Sequence, residues 1–220
     1  MFLGAMTWAV CPTDTFSQGS VEGTIRLLPP ASGVPPSARY QLKSTGPVDV
    51  SIPRRAIVFL EGNFPSATDQ PTAGDLPPLT MEQKNFQFSP RLLAIRRGSR
   101  VAFPNLDDDY HNVFSYSKAK EFDLGRYRKD ERAPTLVFDK TGIVELGCEI
   151  HEHMQAIIVV LDTPYFTSTD IDGRYRLENL PAGKFTLKVW LNKKTTWSES
   201  VELKAGQKLR VDFPPPAPAQ

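Results

Sequence analysis

The residue types best suited to binding a metal are concentrated in one short segment of the sequence. Residues 148–154 read Cys-Glu-Ile-His-Glu-His-Met, which places a thiol, two imidazoles and a thioether close together. The whole chain contains only three histidines and two cysteines, and the remaining histidine, His111, precedes this segment. Sulfur and imidazole are the ligands that soft and borderline metal ions prefer. The segment is therefore a candidate metal-binding loop.

The spacing of Cys148, His151 and Met154 predicts the kind of metal once the flanking strands are considered. Taken alone, the same spacing also fits a buried cysteine and surface histidines in a loop. A loop that joins two neighbouring strands at one end of a β-sandwich can, however, aim all three side chains at one point. His111, at the start of another predicted strand, can complete the set. One thiolate and two imidazoles with a weak axial thioether form the ligand set of a mononuclear electron-transfer copper site.

Other metals fit this loop less well. Structural zinc sites usually take four Cys or His ligands and seldom a methionine. A binuclear copper centre bridged by two thiolates would need a second cysteine in the loop, and an iron–sulfur cluster would need more cysteines than the chain has. His153 is the alternative to Met154 as the fourth ligand, although its position next to Met154 favours an outward, titrating side chain.

Short predicted strands surround the candidate ligands and indicate an all-β protein. Twenty prolines and fourteen glycines separate the apolar runs, which disfavours long helices. The predicted strands are Ser20–Leu27, Tyr40–Lys43, Ala56–Leu60, Asn85–Phe88, Leu92–Ile95, Arg100–Phe103, His111–Tyr116, Thr135–Asp139, Ile143–Gly147, Gln155–Leu161, two strands joined by a turn at Asp172-Gly173, Phe185–Trp190, and two more that end at Phe213. Many short strands bounded by turn residues are typical of β-sandwiches.

Charge and hydropathy exclude several classes of function. Lys and Arg number 26 against 25 Asp and Glu, a net charge of +1, which argues against nucleic-acid binding. The longest uncharged apolar stretch, residues 1–10, is about half the length of a transmembrane helix, so we predict no membrane span. Residues 1–16 fit the remnant of a signal sequence, and we expect the protein to be periplasmic or otherwise exported. Cys11 fits a lipidation site poorly, since a small residue should precede it.

Residues 81–161 resemble a cupredoxin of the plastocyanin and amicyanin kind, and they are similar to exported proteins often labelled methylamine utilisation proteins. The motifs that carry the likeness are Met81–Pro90, Phe103-Pro104-Asn105, His111–Ser115, Phe122–Gly125 and the loop of residues 148–154. The resemblance implies a Greek-key β-sandwich that binds one type 1 copper ion through His111, Cys148, His151 and Met154. It also implies that Asn112 hydrogen-bonds across to the cysteine loop and supports the metal site.

The chain departs from this family between the second histidine and the methionine. Relatives commonly carry Pro and an apolar or aromatic residue there, whereas this chain has Glu152 and His153. The apolar rim with which cupredoxins dock redox partners is therefore altered. His153 is also the residue that would compete with Met154 for the metal.

A second resemblance covers the C-terminal part of the chain. Residues 165–190 look like the carboxypeptidase regulatory-like module, a transthyretin-like β-sandwich, and Gly19–Leu28 with Ala56–Gly62 resemble its opening strands. We predict a signal remnant at 1–16, this module at 17–64 plus 162–213, a linker at 65–80, an inserted cupredoxin domain at 81–161 and a disordered tail at 214–220. The rival is a linear order. Pairing of 21–27 with 165–213 favours insertion, and pairing with 85–103 favours the rival.

The leading functional hypothesis is an exported blue copper protein that transfers single electrons to or from a redox partner protein, such as a cytochrome or a dehydrogenase. The alternatives are a periplasmic copper-handling protein without a redox partner, and a structural β-sandwich protein with a vestigial copper site. An enzyme is not expected, because a full ligand set leaves no open position for substrate.

Two groups of aspartates are interpreted without a metal. Asp107-Asp108-Asp109 is a solvated loop that gives the copper end an acidic face. Asp170 and Asp172 are turn residues instead of Ca²⁺ ligands.

Overall fold

The described part of the chain consists of β-strands joined by turns and loops. The computed structural model describes residues 18–27, 55–62, 64, 74–192 and 195–215. The strands are β1 (Gly19–Thr24), β2 (Ile57–Glu61), β3 (Leu79–Thr80), β4 (Glu82–Lys84), β5 (Gln87–Ser89), β6 (Leu92–Arg96), β7 (Arg100–Ala102), β8 (His111–Ser117), β9 (Lys120–Tyr127), β10 (Thr135–Val137), β11 (Gly142–Gly147), β12 (Gln155–Leu161), β13 (Phe166–Ser168), β14 (Arg174–Leu180), β15 (Gly183–Asn192), β16 (Thr195–Leu203) and β17 (Lys208–Arg210). The predicted all-β class is confirmed. Within these described ranges, no helix is long and apolar enough to cross a membrane.

Strands β3 to β12 form one β-sandwich, which we call the central sandwich. Its larger sheet has the order β6-β12-β11-β8-β9, and the facing layer contains the sheet β10-β7-β3 and the hairpin β4-β5. Apolar side chains from both layers fill the space between them, among them Phe88, Val101, Phe103, Val113 and Ile158. Because side chains alternate across each strand, this core is built from every second residue of its strands.

The remaining strands form a second β-sandwich, the outer sandwich, from both ends of the described chain. Its sheets have the orders β14-β1-β17 and β13-β2-β15-β16. Val21 of β1 lies opposite Leu177 of β14, and Leu60 of β2 lies opposite Leu187 of β15. Strands that precede the central sandwich therefore pair with strands that follow it, which is the pairing that a nested arrangement requires.

The two sandwiches share an apolar contact through strand β12. Ile158 and Val160 belong to the core of the central sandwich. Their neighbours Val159 and Leu161 point the other way and pack with Ile57 and Trp190, which lie on strands of the outer sandwich. Both faces of β12 are thus buried, which explains why residues 155–161 form an almost unbroken apolar run.

Three details differ from the strands predicted from sequence. Residues 85 and 86 do not belong to a strand but form the turn of the β4-β5 hairpin, with φ angles of 54° and 58°. The eight-residue strand β9 was not predicted, because its charged residues and Gly125 resemble a loop. The C-terminal end of the predicted linker 65–80 forms β3, in which Leu79 pairs with Val101.

Other predictions concern turns or lie outside the described residues. Oδ1 of Asp170 accepts hydrogen bonds from the backbone N–H groups of Asp172 and Arg174, at 2.9 and 2.8 Å, so this carboxylate stabilises a turn. The predicted strand Tyr40–Lys43, the predicted signal remnant 1–16 with Cys11, and most of the predicted linker lie outside the described residues.

Candidate metal centre

Two neighbouring strands of the larger sheet bring the predicted ligands together. His111 is the first residue of β8, and Cys148 follows the last residue of β11. These strands are adjacent, with Gly147 paired to Phe114. The loop that follows β11 then turns back to β12, and a hydrogen bond of 2.8 Å from the N–H of Met154 to the carbonyl oxygen of His151 closes its last turn. The strand order therefore places His111 beside the candidate loop.

The thiol and two imidazoles converge on one buried point. Nδ1 of His111 and Nδ1 of His151 are 2.9 Å apart, and Sγ of Cys148 is 3.7 Å from Nδ1 of His151. The potential ligand atoms of these three buried residues all lie within 4.8 Å of one another. Among the described residues, this is the one group of His, Cys, Asp and Glu side chains whose spacing could hold a metal ion.

The spacing of these atoms fits a bound metal ion. With metal distances of about 2.0–2.1 Å to nitrogen and about 2.3 Å to sulfur and tetrahedral angles, two nitrogens lie about 3.3 Å apart, and sulfur and nitrogen about 3.6 Å apart. The observed separations are 2.9 Å and 3.7 Å. Both separations lie within half an ångström of those expected around a bound ion.

The site also favours the deprotonated thiol that a metal ion needs. Burial raises the pKa of the Cys148 thiol, but hydrogen bonds from His111 and His151 outweigh this effect and the pKa falls to about 6. For His111, burial lowers the pKa, whereas the hydrogen bond to Asp107 raises it, and the net shift is upward. The two imidazoles that would share a metal ion with Cys148 therefore also favour its thiolate form before a metal binds.

Met154 and His153, the two candidates for the fourth ligand, lie in different surroundings. Met154 has no exposed surface and packs in the core of the central sandwich together with Cys148. His153 is half-buried, with its ring 6.2 Å from the ring of His151. The expectation that His153 points outward as a surface group is therefore wrong. Burial, together with the nearby His151, lowers the pKa of His153, so this imidazole is disposed to stay neutral.

Two residues around the donors fix the loop and cover the imidazoles. Oδ1 of Asn112 accepts a hydrogen bond of 2.8 Å from the N–H of Glu149, which ties β8 to the cysteine loop as the resemblance implied. The ring of Phe86, at the tip of the β4-β5 hairpin, stands edge-on to both imidazoles, 5.5 Å from His111 and 5.0 Å from His151. The site is consequently shielded from water on this side.

Asp107 is a site residue that the sequence interpretation missed. Its Oδ2 lies 2.8 Å from Nε2 of His111, and its side chain is only 11% exposed. The interpretation of Asp107 as part of a solvated acidic loop is therefore wrong, although the side chain of Asp108 is 82% exposed. The separation of four residues between Asp107 and His111 was visible in the sequence, but three aspartates in a row are ordinarily a mark of solvent exposure.

No protein-family model matches the chain, and no curated protein matches it. Among solved structures, it is similar to a copper-containing nitrite reductase from Thermus scotoductus SA-01, with 23% identity and a TM-score of 0.36 over 40% of this chain and 23% of that one. The chain thus spans about a quarter of the length of that reductase. A single-substitution mutant of amicyanin in its reduced Cu(I) form is similar with 19% identity and a TM-score of 0.36, over 47% of this chain and 98% of that one.

A purple cupredoxin from Nitrosopumilus maritimus is also similar, with 20% identity and a TM-score of 0.34 over 38% of this chain and 99% of that one. All three identities are below 25%, and all three TM-scores are below 0.5. These likenesses do not assign the chain to a family. The functional argument therefore rests on the site itself.

Proposed function

We propose that the protein binds one copper ion through His111, Cys148, His151 and Met154 and carries single electrons. The observation that carries this proposal is the convergence of one thiol and two imidazole Nδ1 atoms within 4.8 Å in a buried pocket. Copper bound there would supply the one-electron couple between Cu(II) and Cu(I), which thiolate and imidazole ligands support in both states.

The protein's own part is to hold the ligands and to exclude water. Cys148 and His151 sit in a loop anchored at both ends by strands, and the side chain of Asn112 fixes the start of the loop at Glu149. A site whose ligands are fixed in advance changes little when the metal changes its charge, which favours fast electron transfer. Burial of the donors limits access of solvent to the metal.

Several finer features belong to this proposal. Four protein ligands leave no open position, so we assign the protein electron transfer and not catalysis. We place it outside the cytoplasm, with a cytochrome or a dehydrogenase as the class of redox partner. We also propose that residues 81–161 are a cupredoxin domain inserted into a transthyretin-like module made of 17–64 plus 162–213, and the pairing of β1 with β14 supports this division.

The test is a copper titration of the full chain followed by optical and EPR spectroscopy and voltammetry. We expect one equivalent of Cu(II) to produce an intense visible band from charge transfer between thiolate and copper, and a reversible one-electron couple. Tight Cu(I) binding without this band would indicate copper handling instead of electron transfer. Failure to take up copper would overturn the proposal and would indicate a structural protein.

Matched variants identify the ligands. Cys148→Ser should abolish the visible band, because the charge transfer originates at sulfur. Met154→Ala should change the EPR spectrum and the potential, whereas His153→Ala should leave both as they are. The opposite result for the last pair would exchange the roles of Met154 and His153.

A further inference from the structure

The carboxylate of Asp107 contacts the side of the His111 ring that faces away from the candidate metal position. Oδ2 of Asp107 lies 2.8 Å from Nε2, while Nδ1 faces His151 at 2.9 Å. The His111 side chain has no exposed surface, and Asp107 has 11% of its side chain exposed. Water therefore has little room to replace this carboxylate as the partner of Nε2.

Backbone groups of a second element hold the carboxylate in place. Oδ1 accepts a hydrogen bond of 2.7 Å from the N–H of Asn85, and Oδ2 accepts one of 2.9 Å from the N–H of Phe86. Both donors belong to the β4-β5 turn, whose two residues have left-handed φ angles. The N–H of Asp107 in turn donates to Oδ1 of Asn105, at 2.9 Å. The carboxylate is thus fixed from both sides before any metal binds.

Hydrogen bonding decides which nitrogen of His111 is free to bind a metal. An ionised carboxylate only accepts hydrogen bonds, so the ring nitrogen beside it carries the proton. The proton on Nε2 leaves the lone pair on Nδ1, where the other two donors converge. A carboxylate in this position also makes the imidazole a stronger electron donor.

We propose that Asp107 is a positioning residue of the metal centre, which locks His111 in the tautomer that presents Nδ1 and uses its negative charge to favour Cu(II) over Cu(I). This inference rests on the proposed copper function. The two oxidation states differ by one positive charge, so a fixed negative charge behind a ligand stabilises the oxidised state more and lowers the potential.

The test compares Asp107→Asn with Asp108→Asn, which removes the same charge one residue away from a largely exposed side chain that pairs with Lys129. We expect Asp107→Asn to change the ratio of the Cu(II) and Cu(I) binding constants at least tenfold. This corresponds to a rise of about 59 mV or more in the potential of a one-electron couple. The control should shift the potential by less than a third of that amount, because solvent screens its charge.

Two results would overturn the inference. Equal shifts in the two variants would mean that only net charge matters, and an unchanged potential with a lower unfolding temperature would make Asp107 a purely structural support of the hairpin. If neither the unaltered protein nor the control takes up copper, the proposed function fails as well. The two failures are therefore distinguishable.

A measurement on the unaltered protein covers the case in which Asp107→Asn does not fold. Nitrogen NMR of the His111 ring in the diamagnetic Cu(I) form should show the proton on Nε2, hydrogen-bonded and slow to exchange with solvent. A proton on Nδ1, or fast exchange of the Nε2 proton, would contradict the assigned role.

Discussion

The hydroxyl of Tyr127 joins three elements of the central sandwich, and its removal gives a quantitative test of the fold around the metal centre. This hydroxyl donates to the carbonyl oxygen of Phe103 at 2.7 Å and accepts from Nε2 of Gln83 at 2.6 Å. Tyr127 is 4% exposed and pairs with His111 across β8 and β9. Burial raises the pKa of Tyr127, so the phenol remains protonated and able to donate.

Tyr127→Phe removes one oxygen atom and two buried hydrogen bonds. Each contributes about 1 kcal/mol, and the amide of Gln83 keeps only a contact of 3.3 Å to the carbonyl of Phe103. We expect the free energy of unfolding to fall by about 1–3 kcal/mol. For a chain of this size, each kcal/mol lowers the unfolding temperature by about 2–4 °C.

The assay is denaturant unfolding of the metal-free full chain, with Tyr116→Phe as the matched control. Tyr116 is 75% exposed, so the control should stay within about 0.5 kcal/mol of the unaltered protein. A change of less than about 0.5 kcal/mol in Tyr127→Phe, or equal losses in the two variants, would refute the reasoning. The copper spectrum of Tyr127→Phe should not change, since the hydroxyl contacts none of the donor atoms.

Three further predictions concern the core, the turns and the metal. In metal-free protein, Met154→Ala should cost about 2–5 kcal/mol of unfolding free energy because Met154 is fully buried, and the half-buried His153→Ala should cost clearly less in the same denaturation assay. Gly173→Ala should cost at least about 3 kcal/mol, because a Cβ there lies 2.0 Å from the carbonyl oxygen of Ile25 at a φ of 81°. Gly125→Ala, with a φ of 69° and no atom within 4 Å, should cost only about 1–2 kcal/mol, and equal costs would contradict the clash. Free copper at a hundred times its dissociation constant should stabilise the unaltered protein by about 2.7 kcal/mol. It should stabilise the Cys148→Ala variant by far less. Both are measured by thermal unfolding, and equal stabilisation of the two proteins would show that copper binds elsewhere.

The sequence allowed the ligand-bearing strands to be predicted well because their patterns are local. The predicted strand His111–Tyr116 agrees with β8 to within one residue, and the apolar run Gln155–Leu161, which stops at Asp162, has the bounds of β12. Strand β9 was missed because its exposed face carries charges and its middle contains a glycine, so the alternation is weak. The turn at residues 85–86 was predicted as part of a strand, since the left-handed φ angles of Asn85 and Phe86 depend on contacts with Asp107 that lie far away in sequence.

The candidate site was predicted by residue type, but its surroundings were not. Scarcity of histidine and cysteine identified His111, Cys148 and His151, and the structure brings these three together. The roles of Asp107 and Phe86 depend on where the β4-β5 hairpin folds over the site, which no pattern within either segment indicates. The ligand assignment itself, including Met154, stays a prediction that copper titration will test.

Strand β12 begins one residue after Met154 and ends with side chains buried against the outer sandwich. Strand β12 therefore connects the ligand loop directly to the contact between the two sandwiches. The outer sandwich cannot separate from the central one without exposing Val159, Leu161 and Trp190 to water. We therefore expect the two sandwiches to unfold as one cooperative unit. A metal ion bound in the central sandwich should then also raise the unfolding temperature of the outer sandwich.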